Sequence, residues 1–290
     1  MTVRRALLIA LTIGLLGYFA PPRAAAAASK VFNLTVEDKT IDIGYGLTYA
    51  AWTYDGTVPG PILRARQGDT VAINLANHTT MSHGIEIDAA QIAPIHFSEP
   101  PGKKTTAYKF HAAVPGVFLY HCSAIPMLNH IANGMFGMMI VDPAGALPPA
   151  REVMLVQSEF YGSPDKAGLI AGDTRKMMAE RPDYVVFNGV LERYSDHPIQ
   201  IKVGELVRVY FVNAGPNLSS TFHVLGAIFS TVYRGGNPAD AMHGLAGFEI
   251  GPGDGAIFEF RVSEPGDYTF LDHAMARPYQ GAIGIFRAVR

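Results

Sequence analysis

The sequence predicts an all-β fold built as two tandem β-sandwich domains, and three observations support this. Short alternating stretches such as Val71-Ala72-Ile73-Asn74-Leu75 are cut throughout by turn residues, with 30 Gly and 20 Pro in 290 residues. The chain also repeats itself. Pro61-Ile62, Arg66-Gln67-Gly68-Asp69-Thr70-Val71, Asn77 and His83 recur in order as Pro198-Ile199, Lys202-Val203-Gly204-Glu205-Leu206-Val207, Asn213 and His223. Further on, Pro101-Gly102, Phe110, Pro115-Gly116, Phe118 and His121 recur as Pro252-Gly253, Phe260, Pro265-Gly266, Tyr268 and His273. Finally, a single cysteine allows no internal disulfide, so each domain must be held by its own apolar core. The chain is long enough to bury two such cores.

Taken in order, residues 1–28 read as a signal peptide. Arg4 and Arg5 form a charged start, residues 6–20 are apolar, and residues 24–28 are all alanine, small enough for cleavage. The apolar run is short for a membrane span, and the Arg pair is a partial hint of twin-arginine export. Removing residues 1–28 takes away three of the 23 basic residues and none of the 25 acids, leaving 20 against 25, a net −5. A mildly acidic exported chain is a poor match for nucleic acid.

The first domain is expected over 29–145, with strands around Val71–Leu75, Tyr108–Phe110 and, in looser phase, Val117–Tyr120. A linker is expected over 146–182, its entry stiffened by Pro143, Pro148 and Pro149. Asp173 to Glu180 reads as one short helix stopped before Pro182. The second domain takes 183–290.

Chemistry concentrates in Tyr120-His121-Cys122, followed by His130 and Met135. A thiolate, an imidazole and a thioether around one loop, with a second imidazole from His83, form the soft His2Cys set with a weak axial Met that holds blue, electron-transferring copper. The plainer alternative is a buried free Cys among core Met residues. Where the first copy has His121-Cys122, the second has Leu271-Asp272-His273, with no Cys and no His-loop-Met after it. Only the first domain can therefore build such a site.

With these residues in view, the chain resembles the copper-containing nitrite reductases, two-domain cupredoxin enzymes that reduce nitrite to nitric oxide. The matching segments are His121-Cys122 through His130-Ile131-Ala132-Asn133-Gly134-Met135, then Tyr184-Val185-Val186-Phe187-Asn188-Gly189. They continue with Gly215-Pro216-Asn217-Leu218, Phe222-His223-Val224-Leu225-Gly226 and Asp272-His273. The resemblance implies two cupredoxin-like Greek-key sandwiches, a periplasmic homotrimer, and two coppers per chain. It also implies nitrite as substrate and a small cytochrome c or cupredoxin as electron donor. His83, Cys122, His130 and Met135 match the type 1 copper ligands. His121 and His273 match two of the three type 2 histidines, which in the family come from neighbouring subunits, and His223 matches the histidine that helps protonate nitrite.

Two positions depart from the pattern. Where the family carries an Asp three residues after the first type 1 histidine and a type 2 His five residues after it, this chain has Glu86 and Asp88. On that reading Asp88 becomes the third type 2 ligand, giving a 2-His-1-carboxylate set that copper, zinc or iron accepts. Glu86 and His223 become the acids that manage protons. His96 could replace the missing ligand, whereas His78, His197 and His243 read as surface residues and Trp52 as core.

Three functions fit: an active nitrite reductase, an electron carrier that has lost type 2 metal, and an oxidoreductase with a different metal and substrate. A multicopper oxidase with a trinuclear cluster is disfavoured, because no His-X-His pair occurs in the sequence.

Overall fold

The computed structural model describes residues 27–93 and 102–290, so the expected signal peptide lies almost wholly, and His96 entirely, outside the described residues. The first half forms β1 (Ser29–Gly44), β2 (Leu47–Tyr54), β3 (Leu63–Arg66), β4 (Thr70–Asn77), β5 (Glu86–Ile87), β6 (Thr105–His111), β7 (Gly116–His121) and β8 (Phe136–Asp142). The second forms β9 (Arg151–Phe160), β10 (Leu169–Ile170), β11 (Tyr184–Phe187), β12 (His197–Lys202), β13 (Val207–Gly215), β14 (Ser220–Val224) and β15 (Thr231–Arg234). It closes with β16 (Ala241–Met242), β17 (Gly247–Ile250), β18 (Gly255–Phe260), β19 (Gly266–Asp272) and β20 (Ile283–Val289). Short helices α1 (Met127–Ala132), α2 (Thr174–Met178) and α3 (Arg193–Asp196) punctuate the strands.

Two sandwiches result. The first packs a sheet ordered β10-β2-β1-β4-β6 on one ordered β3-β8-β7-β5; the second packs β11-β9-β13-β18-β15-β16 on β12-β20-β19-β14-β17. Neighbours far apart in sequence, such as β1 beside β4 and β3 beside β8, are the crossing connections of a Greek key. β4 shows why the sequence folds this way. Val71, Ile73 and Leu75 point into the first core while alternate residues face outward. The second core is aromatic, with Phe187, Phe211, Phe222, Phe229, Phe258, Phe260, Phe270 and Phe286 packed between its sheets.

A third apolar layer joins the sandwiches. Val117, Leu119, Phe136, Met138 and Ile140 of the first meet Val156, Tyr210, Val212, Ala214 and Ile257 of the second. β8, β13 and β18 are consequently covered on both faces, and so is β7, whose Val117 and Leu119 enter this layer while Tyr120 enters the first core, which is why Val117–Tyr120 lacks strict alternation.

The expected linker requires correction. Within 146–182, β9 is a ten-residue strand lying between β11 and β13, so the second sandwich begins near Arg151. Val153 and Leu155 enter its core while Val156 enters the layer between sandwiches, and this two-sided burial makes a strand of a stretch that follows prolines. β10 then returns to pair with β2, adding a strand to the first sandwich. α2 occupies part of the predicted helical stretch, its N-terminus capped by Asp173, which accepts from the amides of Arg175 and Lys176.

Candidate metal centre

Four elements converge at one end of the first sandwich. His83 lies in the loop entering β5, Cys122 directly follows β7, His130 rides on α1, and Met135 directly precedes β8. The backbone ties these pieces together: the Cys122 amide donates to the Met135 carbonyl at 3.1 Å, and the Met135 amide to the His130 carbonyl at 3.1 Å. Gly134, at φ +113°, makes the turn from α1 into β8 that this closure requires, a conformation side chains resist.

The donor atoms form a tight triangle. Cys122 Sγ is 3.3 Å from His130 Nδ1 and 3.8 Å from His83 Nδ1, and the two Nδ1 atoms are 3.1 Å apart. All three residues and Met135 are buried. Burial pushes both imidazoles down to about 4, so at neutral pH they are uncharged. Three lone-pair donors facing each other in a dry site repel unless a proton or cation lies between them, and His83 Nε2 is buried with no partner. The set fits a copper ion of the type 1 kind. The Gly84 amide, donating to Cys122 Sγ at 3.3 Å, favours the thiolate a metal needs. Among the described residues this is the one set of three whose donor atoms all lie within 4.8 Å of one another.

Trp52, expected as plain core, is half-buried and walls this site. Its ring stands edge-on to His130 at 4.9 Å and to His83 at 5.7 Å. Nothing in its flanking residues marks that role; the only sequence signal is that the chain has a single tryptophan.

His121, the neighbour of Cys122, faces away from the triangle. Its Nδ1 donates to the Cys122 carbonyl at 2.9 Å, and its Nε2 lies 3.1 Å from Glu86 Oε2, its cross-strand partner in the β5–β7 ladder. Burial lowers its pKa, but hydrogen bonds to Glu86 and the Cys122 carbonyl and the charges of Glu86 and Asp88 outweigh this, and the net shift is upward. The Asp88 carboxyl is pushed up, first by lost hydration and then by the charge of Glu86, to which it hydrogen-bonds. Of the carboxylates at 86 and 88, it is that of Glu86 that contacts Nε2.

The second sandwich presents another pair. His223 on β14 and His273 just beyond the end of β19 have ring centroids 5.1 Å apart, and His223 Nδ1 donates to the Ala246 carbonyl at 2.6 Å. Beneath them the buried Asp272 carboxylate accepts from the amides of Thr221 and Ala274, from Gln157 Nε2 and from Arg277 Nη1, fixing the turn that carries His273. Among the described residues no hydrogen bond, ion pair or ring contact joins His121 to His223 or His273. His78, His197 and His243 are exposed, as the sequence suggested.

Comparison with known proteins agrees with this geometry. Residues 35–146, essentially the first sandwich, match the multicopper oxidase family model. A copper-containing nitrite reductase of Neisseria meningitidis is 40% identical over 262 residues, covering 86% of this chain and 67% of that protein. The chain thus spans about two thirds of that relative's length. The copper nitrite reductase structure from Nitrosomonas europaea superposes with a TM-score of 0.85 at 38% identity, over 90% of this chain and 94% of that one. A copper-containing nitrite reductase from Thermus scotoductus gives 0.84 at 33% identity, over 90% and 62%. Copper is accordingly the cofactor that the donor triangle fits, and the chain belongs to the copper-containing nitrite reductase family.

Proposed function

We propose that this copper redox enzyme reduces nitrite to nitric oxide, NO2− + 2 H+ + e− → NO + H2O, in the periplasm. His83, Cys122, His130 and Met135 would hold one copper, and His121 and His273 would hold a second metal together with a carboxylate of the Glu86–Asp88 pair. Copper, when bound, supplies the one-electron chemistry at both positions. One observation carries the reading: the buried donor triangle contains Cys122 while its chain neighbour His121 turns its Nε2 outward. A single peptide link thus joins the two centres.

The protein's own groups then manage binding and protons. His121 and His223 each donate through Nδ1 to a backbone carbonyl, which leaves their Nε2 atoms to meet a metal or substrate. His223 and the free acid of the Glu86–Asp88 pair are the groups able to deliver two protons to nitrite. A homotrimer is supported by the exposed apolar residues Leu225, Ile228, Met275 and Tyr279, close in sequence to His223 and His273. A cytochrome c or cupredoxin donor is supported by exposed Met81, Ile125 and Met127 beside the triangle.

A second reading rests on the Glu86–His121 contact, which satisfies His121 with no metal present. It makes the chain an electron carrier with one copper. Copper counting combined with nitric oxide release under reduced viologen separates the two. About two coppers per chain and nitrite-dependent nitric oxide support the reductase; one copper and no nitric oxide reject it.

A further inference from the structure

Resting on the reading that His121 contributes to a second metal centre, we propose that its carboxylate ligand is Glu86, with Asp88 as the positioning residue that aims it. Three geometrical facts carry this. β5 and β7 pair Glu86 directly opposite His121, so both side chains leave the ladder on one side. His121 Nδ1 donates to the Cys122 carbonyl, and a neutral imidazole so fixed carries its lone pair on Nε2. Glu86 Oε2 lies 3.1 Å from that nitrogen. Two ligands each about 2.1 Å from one ion, and so separated, subtend an angle of about 95°, which is within the range of cis ligands.

Asp88 stands differently. It opens the 3-10 turn Asp88–Ala90 beyond the end of β5, and its side chain hydrogen-bonds to Glu86. Of the two carboxylates, it is Glu86 that makes the direct contact with His121 Nε2, at 3.1 Å. The extra methylene of Glu86 is what lets a side chain of the short β5 reach across the ladder to Nε2. The chain therefore exchanges the roles that spacing alone assigns to 86 and 88.

The test is metal stoichiometry and electron paramagnetic resonance on the copper-loaded full-length protein and its Glu86→Ala, Asp88→Ala and Asp88→Asn variants. The sulfur-to-copper charge-transfer band serves as an internal control for the fold. The expected result is two coppers per chain in the wild type and both Asp88 variants, with the electron paramagnetic resonance signal of the second copper altered in Asp88→Ala, and one copper in Glu86→Ala with the band unchanged. If Glu86→Ala does not fold, Glu86→Gln takes its place, with an expected loss of at least tenfold in affinity for the second copper. Retention of two coppers at full affinity by the Glu86 variant, or loss of the second copper in either Asp88 variant, overturns the assignment. A wild type that binds a single copper overturns the two-centre reading itself, an outcome distinct from the others.

Discussion

Cys122 decides whether the first centre exists. It is wholly buried, and its sulfur is the only soft anion the sequence offers. Cys122→Ala should abolish the sulfur-to-copper absorption of the loaded protein while leaving the far-ultraviolet circular dichroism of the metal-free protein unchanged. If His273 holds a second metal as proposed, His273→Ala should do the reverse there. The absorption band should persist and copper per chain should fall from two to one, as read by elemental analysis. The first ligand set was legible because three of its members lie within fourteen residues of one another, from Cys122 to Met135. The Glu86–Asp88 assignment was not legible, because spacing orders residues along a strand and says nothing of which one a neighbouring strand meets. Cross-strand pairing to His121 settles that contact, and pairing is a three-dimensional property.

Among elements, the strands with the least regular pattern are those with the most to bury. β8 inserts Met138 and Ile140 between the sandwiches while Met139 and Val141 face the first core. A strand used on both faces reads as a continuous apolar run, which periodicity cannot assign to a side. Met138→Ala should cost about 2–5 kcal/mol, measured by urea unfolding, because both walls of the cavity belong to rigid sheets. β9 escaped notice for a related reason. Prolines at 143, 148 and 149 mark a break in the chain, and the apolar residues after them look too few for a core strand until the second sandwich covers them. α2, by contrast, announced itself through its cap; Asp173→Ala should lower the unfolding midpoint in the same assay.

Across the whole molecule, a polar cluster reinforces the apolar layer between sandwiches. Arg64 of β3 bonds Asp142 of its own sandwich at 2.8 Å and Glu152 of the other at 2.6 Å, and Tyr210 donates to Glu152 at 2.9 Å. The hydrogen bond from Arg64 is the main cause that holds the Glu152 carboxyl below its ordinary 4.5. A carboxylate whose pKa is lower in the fold adds stability that is complete above the ordinary value and disappears as pH falls through the folded one. Glu152→Gln should therefore be less stable than wild type at pH 7, and the difference should be smaller at about pH 4, below the ordinary value of the carboxyl. Unfolding curves at the two pH values test this. Such an ion pair was invisible in the sequence, since Arg64 and Glu152 are brought together only where the two sandwiches pack on each other.

The contact of β7 with β5 and β8 has a further consequence. His121 sits opposite Glu86 on one side and Phe136 on the other, and Cys122 follows as the next link of the same strand end. Slipping that pairing by a single step would turn the sulfur to solvent and the imidazole into the hydrocarbon interior. With His121 holding the second metal as proposed, both centres share one point of failure, and a lesion that loosens β7 should extinguish colour and turnover together, never one by one.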